Sequence, residues 1–110
     1  MLHCIVHCSH LIEHFKYPEV AQVIDELLRV TKIGGICIIR SPLMWEYFYC
    51  DLDHVRPYPP EAIISYFNND QQQRKGQSKI QVLNIWYRKM PKQYKVINRS
   101  SLWYGLKLLR

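Results

Sequence analysis

Residues 30–42 read Val-Thr-Lys-Ile-Gly-Gly-Ile-Cys-Ile-Ile-Arg-Ser-Pro, and no other stretch limits the fold as much. Gly34 or Gly35 can take the left-handed conformation that ends a helix, with no Cβ penalty. Ile36 to Ile39 is a continuous apolar run rich in β-branched residues, the pattern of a strand buried on both faces in a parallel sheet. Pro42 has no N–H to give, so the ladder is expected to stop there. Helix, Gly-Gly, buried strand and Pro make half of a β-α-β unit. A strand and a helix must feed it, and a loop must leave the strand's carboxyl end.

The feeding elements are legible. Leu2 to Cys8 is mostly apolar, with His3 and His7 inside it, and reads as a strand. Ser9 to Lys16 reads as a turn or short helical passage. Pro18 suits a first helical turn, where a missing N–H costs little. Val20, Val23, Ile24, Leu27 and Val30 follow the i, i+3, i+4, i+7 spacing of an amphipathic helix, with Gln22, Asp25, Glu26 and Arg29 opposite. The helix is expected over 18–31, with Lys32 at the negative end of its dipole. The chain starts directly in a strand, which is unusual for a complete domain. Its first residues carry histidines rather than a basic region, so no signal peptide is expected.

After the second strand, Ile36–Arg40, comes a long loop, Ser41–Pro59, with Trp45, Tyr47, Phe48, Tyr49 and Tyr58 and the polar set Asp51, Asp53, His54 and Arg56. Loops of this length in a compact domain are usually functional. A short helix is expected over 60–67, a polar loop over 68–78 and an alternating strand over 79–88 that Pro91 ends. A further short strand is expected over 94–97 and a C-terminal helix over 100–109. The 110 residues, 48% of them hydrophobic, suffice for one modest domain with a core. No apolar run approaches the ~18 residues of a membrane-spanning helix. Cys4, Cys8, Cys37 and Cys50 are too sparse for a disulfide framework and read as small buried hydrophobes in a reducing cytoplasm.

The net charge of +6 is unevenly placed. All nine acids and five of the fifteen basic residues fall in 1–70; the other ten basic residues, with no acid among them, fall in 71–110. Such asymmetry suits an anionic partner or simply a solvated basic face. Trp86, Tyr87, Tyr94, Trp103 and Tyr104, interleaved with Arg88, Lys89, Lys92, Lys95 and Arg99, have the makings of a stacking surface for single-stranded RNA, but no RNP-type motif accompanies them. The run 102–109 is long enough to lie on a membrane surface, though docking on its own sheet needs fewer assumptions.

Three motifs in order carry a resemblance. Ser9-His10-Leu11-Ile12-Glu13-His14, then a helix ending Leu28-Arg29-Val30-Thr31-Lys32-Ile33-Gly34-Gly35, then a strand ending Arg40-Ser41-Pro42, resembles the second half of class I S-adenosylmethionine-dependent methyltransferases. In that family this glycine turn joins the helix after the fourth strand to the fifth strand; here Thr31 and Ile33 replace the usual Leu and Pro. The loop Asp51-Leu52-Asp53-His54-Val55-Arg56-Pro57-Tyr58 resembles the segment after the fifth strand in a subgroup of small-molecule methyltransferases. The resemblance covers about residues 3–67 and divides the chain into a family-like part, 1–67, and a basic part, 68–110, with a strand and a helix.

The resemblance implies a partial Rossmann-like α/β sheet of three or four strands with flanking helices, with S-adenosylmethionine as cofactor and a small molecule as methyl acceptor. It places Ser9 and His10 at the cofactor pocket. The glycine-rich loop and ribose-binding acid of the family have no counterpart: the four glycines are Gly34, Gly35, Gly76 and Gly105, and the acid often found early in the fourth strand falls on Cys4. A truncated or split enzyme is therefore expected, complemented by an N-terminal half or by a second copy, and the lone chain is expected to transfer no methyl group. The alternative is a non-catalytic module that pairs through its exposed sheet edge.

In open α/β sheets ligands bind beyond the carboxyl ends of the strands, so Asp51, Asp53, Arg56 and Tyr58 are candidate substrate contacts and His54 a candidate general base. The competing reading is a self-stabilised loop in which His54 and Arg56 pair with Asp51 and Asp53. Residues 10–14 also fit His-x-x-Glu-His, in which His10 and His14 would bind zinc and Glu13 act as base. Pro18 leaves little room for a long zinc helix, and no Glu follows Glu61 as a third ligand. A zinc site from Cys4, Cys8, His10 and His14 would need a helix to bring both histidines round to the strand. No metal is assigned from the sequence, and Glu13 and His14 read equally well as a structural pair that fixes the turn.

Overall fold

The computed structural model describes residues 2–43, 48–69, 80–89 and 101–110. The elements are β1 (His3–Ser9), a 3₁₀ turn (Ile12–His14), α1 (Glu19–Arg29), β2 (Thr31–Pro42), a second 3₁₀ turn (Phe48–Cys50), α2 (Pro60–Asn69), β3 (Gln81–Lys89) and β4 (Ser101–Leu109). They form one four-stranded sheet in the order β1-β2-β4-β3. β1 runs parallel to β2, whereas β4 is antiparallel to both β2 and β3. The α/β class and the strand count agree with the sequence reading.

The stripe expected on α1 is met in part: Val20 and Ile24 are buried, Leu28 joins them, and Val23, Leu27 and Val30 are only half-buried. Val20, Ile24 and Leu28 are buried, four residues apart, against Cys37 and Ile39 of β2 and Tyr104, Leu106 and Leu108 of β4. Ile63 and Phe67 of α2 pack into the same cluster. Full burial of each such aliphatic side chain stabilises by about 1.5–3 kcal/mol. Tyr66 Oη donates to Asp25 Oδ2 at 2.9 Å and ties α2 to α1. Both helices therefore cover one face of the sheet. The other face shows Ile5, Ile36, Ile38 and Trp103 with no helix over them among the described residues. Its furniture is made of side chains: the Arg40 guanidinium lies 4.1 Å from the Trp103 ring centroid, and Trp86 lies over Gly105, where an added Cβ would meet the ring.

Several expectations are corrected. The segment over 100–109 is a strand, not a helix; it fills the slot between β2 and β3 and buries Tyr104, Leu106 and Leu108 on one side of its alternation. The glycines do not end the helix. α1 stops at Arg29, and Arg110 caps it: its Nη1 donates to the carbonyls of Leu28 (2.8 Å), Arg29 (3.2 Å) and Thr31 (2.6 Å). Gly34 and Gly35 sit instead in a bulge of β2, because partner positions jump from His3↔Thr31 to Ile5↔Ile36. Pro42 is the end of β2 but still lies opposite Trp103. Ile36 and Ile38 are only half-buried, since no helix among the described residues covers their face of the sheet. The polar loop expected over 68–78 loses 68 and 69 to α2; its remainder, with Trp45, Tyr47, Pro91 and the strand expected over 94–97, lies outside the described residues.

Among the four cysteines, all free, Cys8 and Cys37 are buried and Cys4 and Cys50 exposed, which corrects the expectation that all four are buried. Burial pushes the Cys37 thiol up to about 11, and burial followed by the nearby Glu13 carboxylate does the same for Cys8. The unfolded thiols ionise near 9.0, so from there to about 11 the folded chain holds more protons than the unfolded chain. Stability should be fully present below that window and fall through it. Urea midpoints at pH 8.5 and 10.5 should show the fall, and a Cys8→Ala/Cys37→Ala variant should show less of it.

The bulge gives a second test. Gly34 has φ +83° in open space, so Gly34→Ala should cost about 1 kcal/mol. A Cβ on Gly35 would lie 2.7 Å from the Lys32 carbonyl oxygen and 2.8 Å from that of Cys4. Backbone cannot yield cheaply, so Gly35→Ala should cost about 3 kcal/mol. Equal denaturant midpoints for the two variants would contradict this geometry.

Candidate functional site

The polar residues gather beyond the carboxyl ends of β1 and β2. His10, just past β1, has φ +56°, a left-handed conformation uncommon for a side chain of its size, and this turns the chain sharply into the 3₁₀ turn. Its N–H donates to the Arg40 carbonyl at 2.8 Å, which closes the β1–β2 ladder. The turn carries Ile12 into the core and buries Glu13 completely. A carboxylate in such a place needs partners. Ser41 Oγ donates to Glu13 Oε2 at 3.2 Å. Among the described residues no hydrogen-bond donor reaches Glu13 Oε1; His14 Nε2 lies 3.5 Å from it and His10 Nδ1 3.9 Å.

The loop after β2 folds back onto this turn. Val55 N–H and Arg56 N–H both donate to the Glu13 carbonyl, at 2.9 and 3.3 Å. His14 Nδ1 bonds the Asp53 carbonyl at 3.0 Å, and His54 Nδ1 bonds the Phe48 carbonyl at 2.7 Å. The two imidazoles meet edge to face with centroids 5.3 Å apart, and His54 also packs on Phe48. Asp51 closes the loop locally: Oδ1 accepts the Asp53 N–H at 3.1 Å, and Oδ2 lies 3.6 Å from His54 Nε2.

Of the residues singled out in the sequence, His54, Asp51 and His10 thus come together around Glu13 and His14. Ser9 is exposed at the end of β1. Asp53 enters through its backbone, its carbonyl taking the His14 bond. Arg56 leans toward the Tyr58 ring at 5.8 Å. Tyr58 serves the scaffold: its hydroxyl donates to the Phe15 carbonyl at 2.6 Å, and its own carbonyl accepts the buried Tyr104 hydroxyl. Burial pushes both phenols upward. Asp51 Oδ2 and His54 Nε2 stand at the spacing of the self-pairing expected in the loop, which is an ion pair only with the ring protonated.

The residue that sequence reasoning undervalued is Glu13, the buried centre of the cluster. The His-x-x-Glu-His spacing pointed to it. The pairing read there, His10 with His14 on one helical face, does not form, because His10 lies outside a turn of three residues.

No family model matches the chain, and no curated protein matches it. Among solved structures it is similar to a SAM-dependent methyltransferase from Archaeoglobus fulgidus, with a TM-score of 0.65 at 15% identity, over 99% of this chain and 60% of that one. The fold is therefore methyltransferase-like, and the likeness extends past residue 67 into β3 and β4. The chain spans 60% of the length of that structure.

Tyr58→Phe separates a scaffold role from a substrate contact. Loss of the bond to Phe15 should cost about 1 kcal/mol in chemical denaturation without any ligand present. An unchanged midpoint would assign the hydroxyl to ligand binding instead.

Proposed function

We propose that the chain is the substrate-end portion of a class I S-adenosylmethionine-dependent methyltransferase domain, corresponding to its second half and acting on a small molecule when the domain is complete. The observation that carries this is the structural match over nearly the whole chain to 60% of a SAM-dependent methyltransferase. Two features of the sheet support it. A doubly wound sheet has helices on both faces, whereas α1 and α2 share one. β1 is an edge strand, paired on one side by β2, and its Ile5 is 67% exposed. An edge with exposed apolar residues is a template for further strands. The cofactor-binding half would extend the sheet from there, supplied by more chain or by a separate protein.

In this reading Ser9 and His10, at the carboxyl end of β1, face the cofactor, and Asp51, Asp53 and Arg56 line the acceptor side. S-adenosylmethionine supplies the electrophilic methyl group when bound. The protein's part is to align donor and acceptor, where orientation carries much of the rate. The bond of His54 to the Phe48 carbonyl, with His14 and Asp51 beside the ring, supports a loop-fixing role for it. With no glycine-rich loop in the sequence, this portion alone should bind S-adenosylmethionine negligibly in calorimetry and transfer no labelled methyl group. Turnover by the purified chain would overturn the division of labour. A reading frame for a glycine-rich strand-turn-helix ahead of the Met1 codon would support it. A cofactor-blind homodimer paired through β1, seen by sedimentation, would favour the non-catalytic module instead.

A further inference from the structure

We propose that Glu13, His14 and His54 form a binding site for a divalent transition-metal ion of the zinc class, which clasps the loop after β2 to the turn after β1. The proposal is independent of the methyl-transfer reading. One ligand atom from each side chain lies within 4.8 Å of the others. Glu13 is 0% exposed, and among the described residues its Oε1 lacks a hydrogen-bond donor. That oxygen is 3.5 Å from His14 Nε2. Tetrahedral bonds of roughly 2.0–2.2 Å put ligand atoms about 3.3–3.6 Å apart, so this pair is already at metal-sharing distance. The third ligand needs a shift of about 1 Å by a loop side chain.

The hydrogen bonds argue for a cation. A carbonyl only accepts, so His14 Nδ1 must carry the proton it gives to Asp53, and His54 Nδ1 the one it gives to Phe48. In each neutral ring Nε2 is then a lone pair. Metal-ligating histidines are held in this way, with one nitrogen on a backbone carbonyl and the other on the metal. With both rings neutral, lone pairs of two imidazoles and a carboxylate oxygen lie within 4.8 Å of one another, and a cation fills such a space. Two imidazoles and one carboxylate suit zinc better than magnesium or calcium, which prefer all-oxygen shells. Three protein ligands leave a fourth position, open to water or substrate through the partly exposed His14 side. His10, 3.9 Å from Oε1, and Asp51, 3.6 Å from His54 Nε2, stand at the mouth. Glu13 thus acts as a ligand rather than as the base of a peptidase motif, and His54 replaces His10.

The full chain, stripped with EDTA, is titrated with Zn²⁺ by calorimetry and with Co²⁺ by absorption. The expected result is one ion per chain, visible Co²⁺ bands without a thiolate charge-transfer band, and a melting temperature about 5 °C or more higher with excess Zn²⁺. His54→Ala and His14→Ala should each weaken binding by about 100-fold or more, while His7→Ala leaves it unchanged. His54 lies on a loop, so its variant remains informative if His14→Ala fails to fold. Absence of 1:1 binding, full affinity in His54→Ala, or a thiolate band marking a cysteine site would each overturn the proposal.

Discussion

The fold depends on the antiparallel seam between β2 and β4. Seven consecutive pairs, from Ile36↔Leu109 to Pro42↔Trp103, zip the two strands together. Through this seam β4 delivers Tyr104, Leu106 and Leu108 beneath both helices, and among the described strands β3 pairs with β4 alone. Just past β4, Arg110 exchanges backbone bonds with the bulge, to Gly35 and from Gly34, while its guanidinium caps the carboxyl end of α1. A capping glycine is unnecessary once a cation collects those carbonyls. This is why the two glycines were free to serve the bulge.

Much of this was legible in the sequence, for physical reasons that differ by element. β1, α1 and β2 announce themselves because their apolar residues recur at the strand or helix period and their contacts are close along the chain. β4 did not. Its Leu and Lys are good helix formers, and the run of Leu102, Trp103 and Tyr104 hides the alternation. Gly105, between Tyr104 and Leu106, was the available clue, because glycine is costly in a helix and here makes room for Trp86. No local pattern discloses that a segment will insert between two others, because the information lies in β2 and β3.

The site was legible as a set of residues and not as an arrangement. Asp51, Asp53, His54 and Arg56 stand out as candidates because a polar loop leaving a strand's carboxyl end is where α/β proteins hold ligands. The buried Glu13 carboxylate at the centre of the cluster comes from the other strand end, about forty positions earlier. Only the folding of the loop onto the turn, through the Val55 and Arg56 amides, brings His54 to it. Tyr58 and Asp53 show the opposite case: side chains of suggestive chemistry whose hydroxyl, or whose backbone, is spent on holding the loop.

The seam also sets an order of events. β1, α1 and β2 are contiguous in the chain and can assemble from nearby contacts, as can the β3–β4 pair. The β2–β4 ladder joins positions some seventy residues apart, and closing so long a loop is slow relative to local structure. Until it closes, β2 offers a bare edge lined with Ile36, Ile38 and Ile39. The period between forming the first unit and docking the second is therefore when this chain is most exposed to misassociation, and a chaperone would meet it there.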